Sequence, residues 1–241
     1  MQRVLVTELL DVLPPEGARA AQSRLDLRRV NRLLGHAGVF ARLLIARSTS
    51  SGHALARPDG AQRLVELGAG DGTFLLDLAR RLAGRTAYRH AVLVDRQRLT
   101  TAATLEAFGQ LGWQVDVVTA DVFAWLESPP EPHRTFLLAN LFLHHFQGEC
   151  LERLLRLCAS HGHTFAACEP RRAFLPLWGS RALGLIGCNA VTRHDAVASV
   201  RAGFNGHELS GCWPRSGSWT LSERPLGLFS HAFAARRPLT G

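Results

Sequence analysis

Residues Val65 to Phe74 read VELGAGDGTF. A short apolar run ends in glycines at alternate positions, Gly68, Gly70 and Gly72, and passes directly into a segment of helical spacing. A buried strand that turns at once into a helix needs glycine where the backbone bends sharply or comes close to a ligand. The helix start then offers N–H groups with no partner inside the helix. This one loop restricts the chain to folds that carry a ligand at the end of a strand.

The sequence downstream repeats the same pattern. AVLVD, VDVVTAD, TFLLANLFL and TFAACE are apolar runs of strand length. Between them FLLDLARRLAG, LTTAATLEAFGQLG, VFAWLES and GECLERLLRLCASHG have helical spacing, closed by Gly84, Gly112, the Ser128-Pro129-Pro130 stop and Gly162. Strands alternating with helices predict an α/β fold, with a mostly parallel sheet and helices on both faces. RHDAVASVRAGF is a further helix, and WTLSERPLGLFSHAFAARR reads as a hairpin around Pro225-Leu226-Gly227. Upstream, residues 22–44 read as helical, and Ser48 to Pro58 as a loop. The expected organisation is an N-terminal helical cap over residues 1–58 and a core over 59–241, with an insertion around 170–192.

Composition narrows the setting. At 241 residues the chain can bury a core without disulfide or metal staples. The five cysteines form no CxxC pair, so free thiols in a reducing cytoplasm are expected. No apolar window reaches the ~20 residues of a membrane helix, and the N-terminus lacks a signal-peptide apolar region. The net charge of +8 raises nucleic acid as a partner. All of the basic residues are arginine, however, which reads as a spread compositional bias over a solvated surface.

The glycine loop is GxGxG rather than the dinucleotide GxGxxG, with Glu66 before it and Asp71 inside it. Carboxylates there repel a pyrophosphate and suit a cationic ligand. From Arg63 to Arg237 the chain resembles the class I S-adenosylmethionine-dependent methyltransferases, and ELGAGDG is similar to their first motif. The resemblance implies a Rossmann-like sheet of seven strands, the last antiparallel. It implies S-adenosyl-L-methionine as cofactor, held by Glu66, Gly68, Ala69, Gly70, Asp71 and Gly72. By the same resemblance Asp95 takes the ribose, with Arg96 beside it. Asp121 takes the adenine amino group, and Val122 packs on the ring. Asp95 and Asp121 also suit the role of helix caps, and that alternative stays open.

Asn140 heads the run NLFLHHF at the end of the fourth strand. The resemblance puts Asn140 and Leu141 beside the methyl donor. The absence of an Asn-Pro-Pro-aromatic run argues against methylation of nucleic-acid amines, and the stretch looks more like the Leu-His-His version of small-molecule enzymes. His144, His145, His194 and Asp195 are candidates for the acceptor side and for a general base. Neighbouring histidines point apart and share a metal ion poorly, so no metal is expected. Arg171 and Arg172 are candidates to hold an acidic substrate. DLRRVNRLLG, with the EPRR and TRHDA stretches, resembles a bacterial subgroup found beside polyketide and phenolic-lipid pathways. Its helix would form a lid or touch an anionic membrane. The function implied is methyl transfer to an oxygen of a small molecule, a phenol included. An RNA methyltransferase and a non-catalytic cofactor-binding partner protein remain as alternatives. The oligomeric state is open.

Overall fold

The computed structural model describes residues 1–14, 16–50, 63–128, 135–215 and 218–237, with only the backbone described for 47–50. Its strands are β1 (Arg63–Leu67), β2 (His90–Asp95), β3 (Gln114–Thr119), β4 (Thr135–Asn140), β5 (Thr164–Pro170), β6 (Thr220–Leu226) and β7 (Ser230–Arg236). The helices are α1 (Leu9–Val12), α2 (Ala18–Leu34), α3 (His36–Ser50), α4 (Thr73–Leu82), α5 (Ala102–Gln110) and α6 (Val122–Glu127), followed by α7 (Gly148–His161), α8 (Phe174–Ala182), α9 (Ala190–Ala202) and α10 (Glu208–Cys212).

The seven strands form one sheet in the order β3-β2-β1-β4-β5-β7-β6. Strands β1 to β5 pair in parallel, and β7 runs antiparallel between β5 and β6. This is the expected α/β sheet. The strand order reverses between β1 and β4, which places the ends of these two strands at the crevice where such sheets bind ligands. β1, β4 and β5 are buried along their whole length, which explains their unbroken apolar runs. β3 lies at the edge and alternates in exposure. Pro225 is tolerated because β6 is the opposite edge.

Side chains alternate across the sheet into two cores. Leu64, Ala91 and Leu93 pack with Phe40, Leu75, Leu78 and Phe108 on one face. Val65, Val92 and Val94 pack with Leu151, Leu154, Phe165 and Trp213 on the other.

Residues 22–44 are helical as expected, with one break: Gly35 takes the left-handed conformation with φ 68° and ends α2, and α3 starts at His36. The helix α3 continues through Ser50, so the expected loop does not begin at Ser48; its remainder and the boundary at residue 58 lie outside the described residues, as do Pro129 and Pro130. The insertion is largely helical, formed by α8 and a 3-10 turn over Leu183–Ile186.

The N-terminal helices are bound to α9. Buried Asp26 of α2 accepts from the Asn189 N–H at 2.8 Å and the Thr192 hydroxyl at 3.1 Å. Asp195 accepts from the N–H groups of Leu9 and Leu10 at 2.7 and 2.9 Å, and so caps α1 from another part of the chain.

Candidate active site

The glycine loop adopts the conformations that its composition requires. Gly68, Gly70 and Gly72 have φ of 69°, 54° and 75°. A Cβ on Gly68 would stand 2.1 Å from the Phe142 ring, so this glycine is required for space as well as for backbone. A Cβ on Gly70 would meet nothing within 4 Å, which leaves that side of the loop open.

One cavity of about 830 Å³ opens from this loop. Of the cofactor candidates, Glu66, Gly68, Ala69, Gly70, Asp71, Asp95, Arg96, Asp121, Val122, Asn140 and Leu141 line it; Gly72 does not. Gly72 instead supports the loop from behind, where a Cβ would stand 2.7 Å from Leu93. Asp95 holds the loop in place: its Oδ2 accepts from the Gly70 N–H at 2.8 Å and its Oδ1 from the Gln97 N–H at 2.8 Å. It does not cap α5, whose N-cap is Thr101. Asp121 does cap α6, with Oδ1 accepting from the N–H groups of Phe123 and Ala124.

The acidic flanks differ from each other. Asp71 is engaged, at 2.6 Å from Arg28 Nε of α2 and within hydrogen-bond distance of the Thr73 N–H and hydroxyl. This ion pair ties α2 to the glycine loop. Glu66 is fully enclosed, and its Oε2 has no hydrogen-bond partner among the described residues. Burial, then the charges of Asp71 and Asp95, push its carboxyl well above the usual range, against one stabilising N–H from Leu75.

The end of β4 is shaped by a residue the sequence did not single out. Buried Glu169, at the end of β5, accepts from the N–H groups of Phe142 and Leu143 with Oε1, at 3.0 and 2.9 Å. Its Oε2 lies 2.8 Å from His144 Nδ1. Leu141 is the only non-glycine with positive φ (54°) among the described residues, and this kink turns the following N–H groups onto Glu169. The Asn140 side chain turns away from the loop: Oδ1 is 2.7 Å from Nδ1 of buried His36, whose Nε2 is 2.6 Å from Ser230 Oγ.

The histidines have separate surroundings. His144 is buried, with Glu169 on Nδ1 and Glu8 Oε1 3.2 Å from Nε2. Burial opposes its charge, but the two carboxylates win and raise its pKa to about 9. Glu8 responds in the opposite sense. Burial works against its charge, yet His144 and the Ser199 hydroxyl hold it down at about 2. His145 lines the cavity with its Nδ1 3.6 Å from Asp11. Burial and the neighbouring His144 charge lower its pKa.

Glu8, His144 and His145 bring ligand atoms within 4.8 Å of one another. The 3-10 turn Leu143–His145 sets the two rings at 31° with centroids 4.4 Å apart, so these neighbours do not point apart as expected. The group is closed by protons: His144 donates from both nitrogens, and Glu8 also accepts from Ser199.

The remaining acceptor-side candidates are placed differently. Asp195 lines the cavity while capping α1. His194 is half-exposed, outside the lining, and pairs with Asp195 at 2.9 Å. Arg172 is spent inside the fold, on Glu208, the Gly203 carbonyl and the Met1 carbonyl, so it does not reach a substrate. Glu8 and Arg28 also line the site, and His36 supports it through Asn140; nothing in the local sequence marks Glu8 or His36, whereas Arg28 lies in the DLRRVNRLLG stretch.

No protein-family model and no curated protein matches the sequence. Solved structures do match in shape. An O-methyltransferase family protein from Burkholderia thailandensis aligns with a TM-score of 0.59 at 16% identity, over 91% of this chain and 60% of that one. The plantazolicin methyltransferase BpumL, solved in complex with SAH, aligns with a TM-score of 0.61 at 10% identity over 92% of both chains. The small RNA methyltransferase HEN1 aligns with a TM-score of 0.51 at 13% identity, over 77% of this chain and 24% of that one. This chain has the fold of these methyltransferases. Its length is about that of BpumL, and it spans 60% of the Burkholderia protein and 24% of HEN1.

Proposed function

We propose that this protein is an S-adenosyl-L-methionine-dependent methyltransferase acting on an oxygen of a small molecule, with a phenol as the favoured acceptor. The observation that carries this reading is Glu66: a buried carboxyl with an orphaned oxygen on the wall of the cavity beside the glycine loop. Such a group calls for a cationic donor, and the ammonium of the cofactor's amino-acid end is one. The rest of the lining fits the same ligand. Asp95 retains lone pairs for the ribose hydroxyls, Asp121 bonds α6 through one oxygen only, and Val122 offers an apolar surface to the adenine. When bound, the cofactor supplies a methyl group on a sulfonium already activated for displacement.

What remains for the protein is alignment of the acceptor and removal of its proton. Between the two adjacent histidines the environments separate these tasks. His144 has no free lone pair and serves as a cationic strut between Glu8 and Glu169. His145, whose pKa is lowered by burial and then by its neighbour's charge, is the group we assign to take the acceptor's proton. The described part of the N-terminal segment acts as a cap, since Leu5, Glu8, Asp11 and Arg28 complete the cavity wall. Glu8 and Asp11 on that wall disfavour a polyanionic acceptor such as RNA. Five unpaired thiols, three of them buried, suit a cytoplasmic setting.

Titration calorimetry with S-adenosyl-L-methionine tests the cofactor, and absence of binding at high micromolar donor would end this reading. A methyl-transfer assay over a panel of phenols, repeated with His145→Ala, tests the base. The expected result is a loss of about 10²–10⁴-fold that is smaller for acceptors of lower pKa. Turnover with no acceptor, despite donor binding, would favour the non-catalytic partner reading.

A further inference from the structure

The outer face of α8 carries the largest group of exposed apolar side chains in the described fold. Phe174 is 72% exposed and Trp178 66%, one helical turn apart, with Leu175 between them. The following 3-10 turn adds Leu185 at 89% and Ile186. The β6–β7 turn joins the same surface: Phe229 packs against Gly179, where a Cβ would stand 2.7 Å from its ring, and Leu228 beside it is exposed. Exposed aromatic and aliphatic side chains in one contiguous group mark a contact surface rather than scattered exposure.

The segment that carries this surface has charge of one sign. Between Glu169 and Asp195 the chain contains no acidic residue and four arginines. Arg172 is used inside the fold, as above. Arg181 lies over the Trp178 ring with Cζ 5.8 Å from its centroid, and Arg193 packs on Gly184 at the base of the Leu185 turn.

We infer that this face of α8, with the Leu183–Ile186 turn and the tip of the β6–β7 hairpin, docks on an anionic lipid bilayer. Tryptophan and arginine with their apolar parts buried and polar parts at headgroup level are suited to that interface, and leucine and isoleucine reach below it. A second copy of the chain fits poorly. A twofold contact would set the same arginines against each other with no acid to receive them. A nucleic acid would match the charge, but it gives leucine and isoleucine nothing to bury against. No described helix is long and apolar enough to cross a membrane, so the contact is peripheral. The opposite side of α8, at Pro176, Gly179 and Ser180, lines the cavity, so docking sets that wall of the site against the bilayer. The N-terminal helix α2, expected as a lid or as a membrane contact, turns Leu27, Val30 and Leu34 into the cavity.

The test is co-sedimentation of the full chain with vesicles of phosphatidylcholine alone and of phosphatidylcholine with phosphatidylserine. Binding is expected only to the anionic vesicles and should weaken as salt rises. The double variant Trp178→Ser, Leu185→Ser lies outside the cavity lining and should lower partitioning by about tenfold or more. Its melting temperature and donor binding should match the parent, which keeps this result separate from the proposed chemistry. Three outcomes would overturn the inference: no binding to anionic vesicles, binding unchanged in a folded double variant, or a concentration-dependent dimer that the double variant abolishes.

Discussion

On the proposed function, Glu66 is costly to the empty protein and useful to the loaded one. Its carboxyl is raised well above the ordinary value in the fold. A group raised in this way binds more protons folded than unfolded, so its contribution to stability falls as pH rises above the unfolded value. Glu66→Gln removes that cost, and the expected result is a higher melting temperature at neutral pH together with at least tenfold weaker donor binding. The same shift predicts that S-adenosyl-L-methionine binding expels a proton, because a bound ammonium favours the carboxylate. Calorimetry in buffers of different ionisation enthalpy measures this directly, and a proton count of zero at mildly acidic pH would contradict it. His144 and Glu8 define a pH window of their own. His144 is raised to about 9, so its stabilisation is complete below the unfolded value near 6.5 and is lost as pH climbs through about 9. Glu8 is lowered to about 2, so its share is complete above its unfolded value of 4.5 and is lost as pH falls toward about 2. Glu8→Gln should bring the His144 pKa down, as read by NMR titration, and should increase hydrogen exchange in residues 1–12.

At the scale of elements, the turn after β4 and the loop after β1 form one unit. Phe142 lies on Gly68, Glu169 of β5 collects the N–H groups that follow Leu141, and Asp95 of β2 holds the N–H of Gly70. Gly68→Ala therefore meets both a left-handed backbone and an aromatic ring. Expected is a loss of roughly 2–4 kcal/mol in denaturant unfolding, from backbone strain together with overpacking. Phe142→Ala in the same chain should recover the overpacking part but not the backbone part. A double-mutant cycle with no coupling would show that the ring is not the obstacle. The helices α1 and α2 are likewise tied to α9 by buried carboxylates, Asp195 of α9 on the N–H groups of Leu9 and Leu10, and Asp26 of α2 on Asn189 and Thr192.

For the whole molecule, the cavity is shared between the ends of β1, β2 and β4 and the N-terminal segments, so a ligand in it joins the two. Donor at a hundred times its Kd should stabilise the fold by about 2.7 kcal/mol, a rise of roughly 5–10 °C in melting temperature for a chain of this size. Scanning fluorimetry measures it, and an unchanged transition would place the ligand elsewhere. The sheet and the glycine loop could be read in advance because both are periodic and local. A run such as TFLLAN is apolar throughout because β4 has neighbours on both edges and helices on both faces, and Gly68-Ala69-Gly70 is spaced by the turn it must make. Helix boundaries were less legible. Gly35 ends α2 through one left-handed residue, a signal that a long amphipathic pattern concealed. The layered fold and the glycine-loop edge of the cavity were therefore written in the local sequence, since strand burial and turn geometry act over a few residues. The histidine edge was set by the tertiary fold alone. Glu8, His144 and Glu169 come from three distant segments, as do His36, Asn140 and Ser230. Each charge state there depends on a neighbour in space, and no local pattern encodes which carboxylate a histidine will meet.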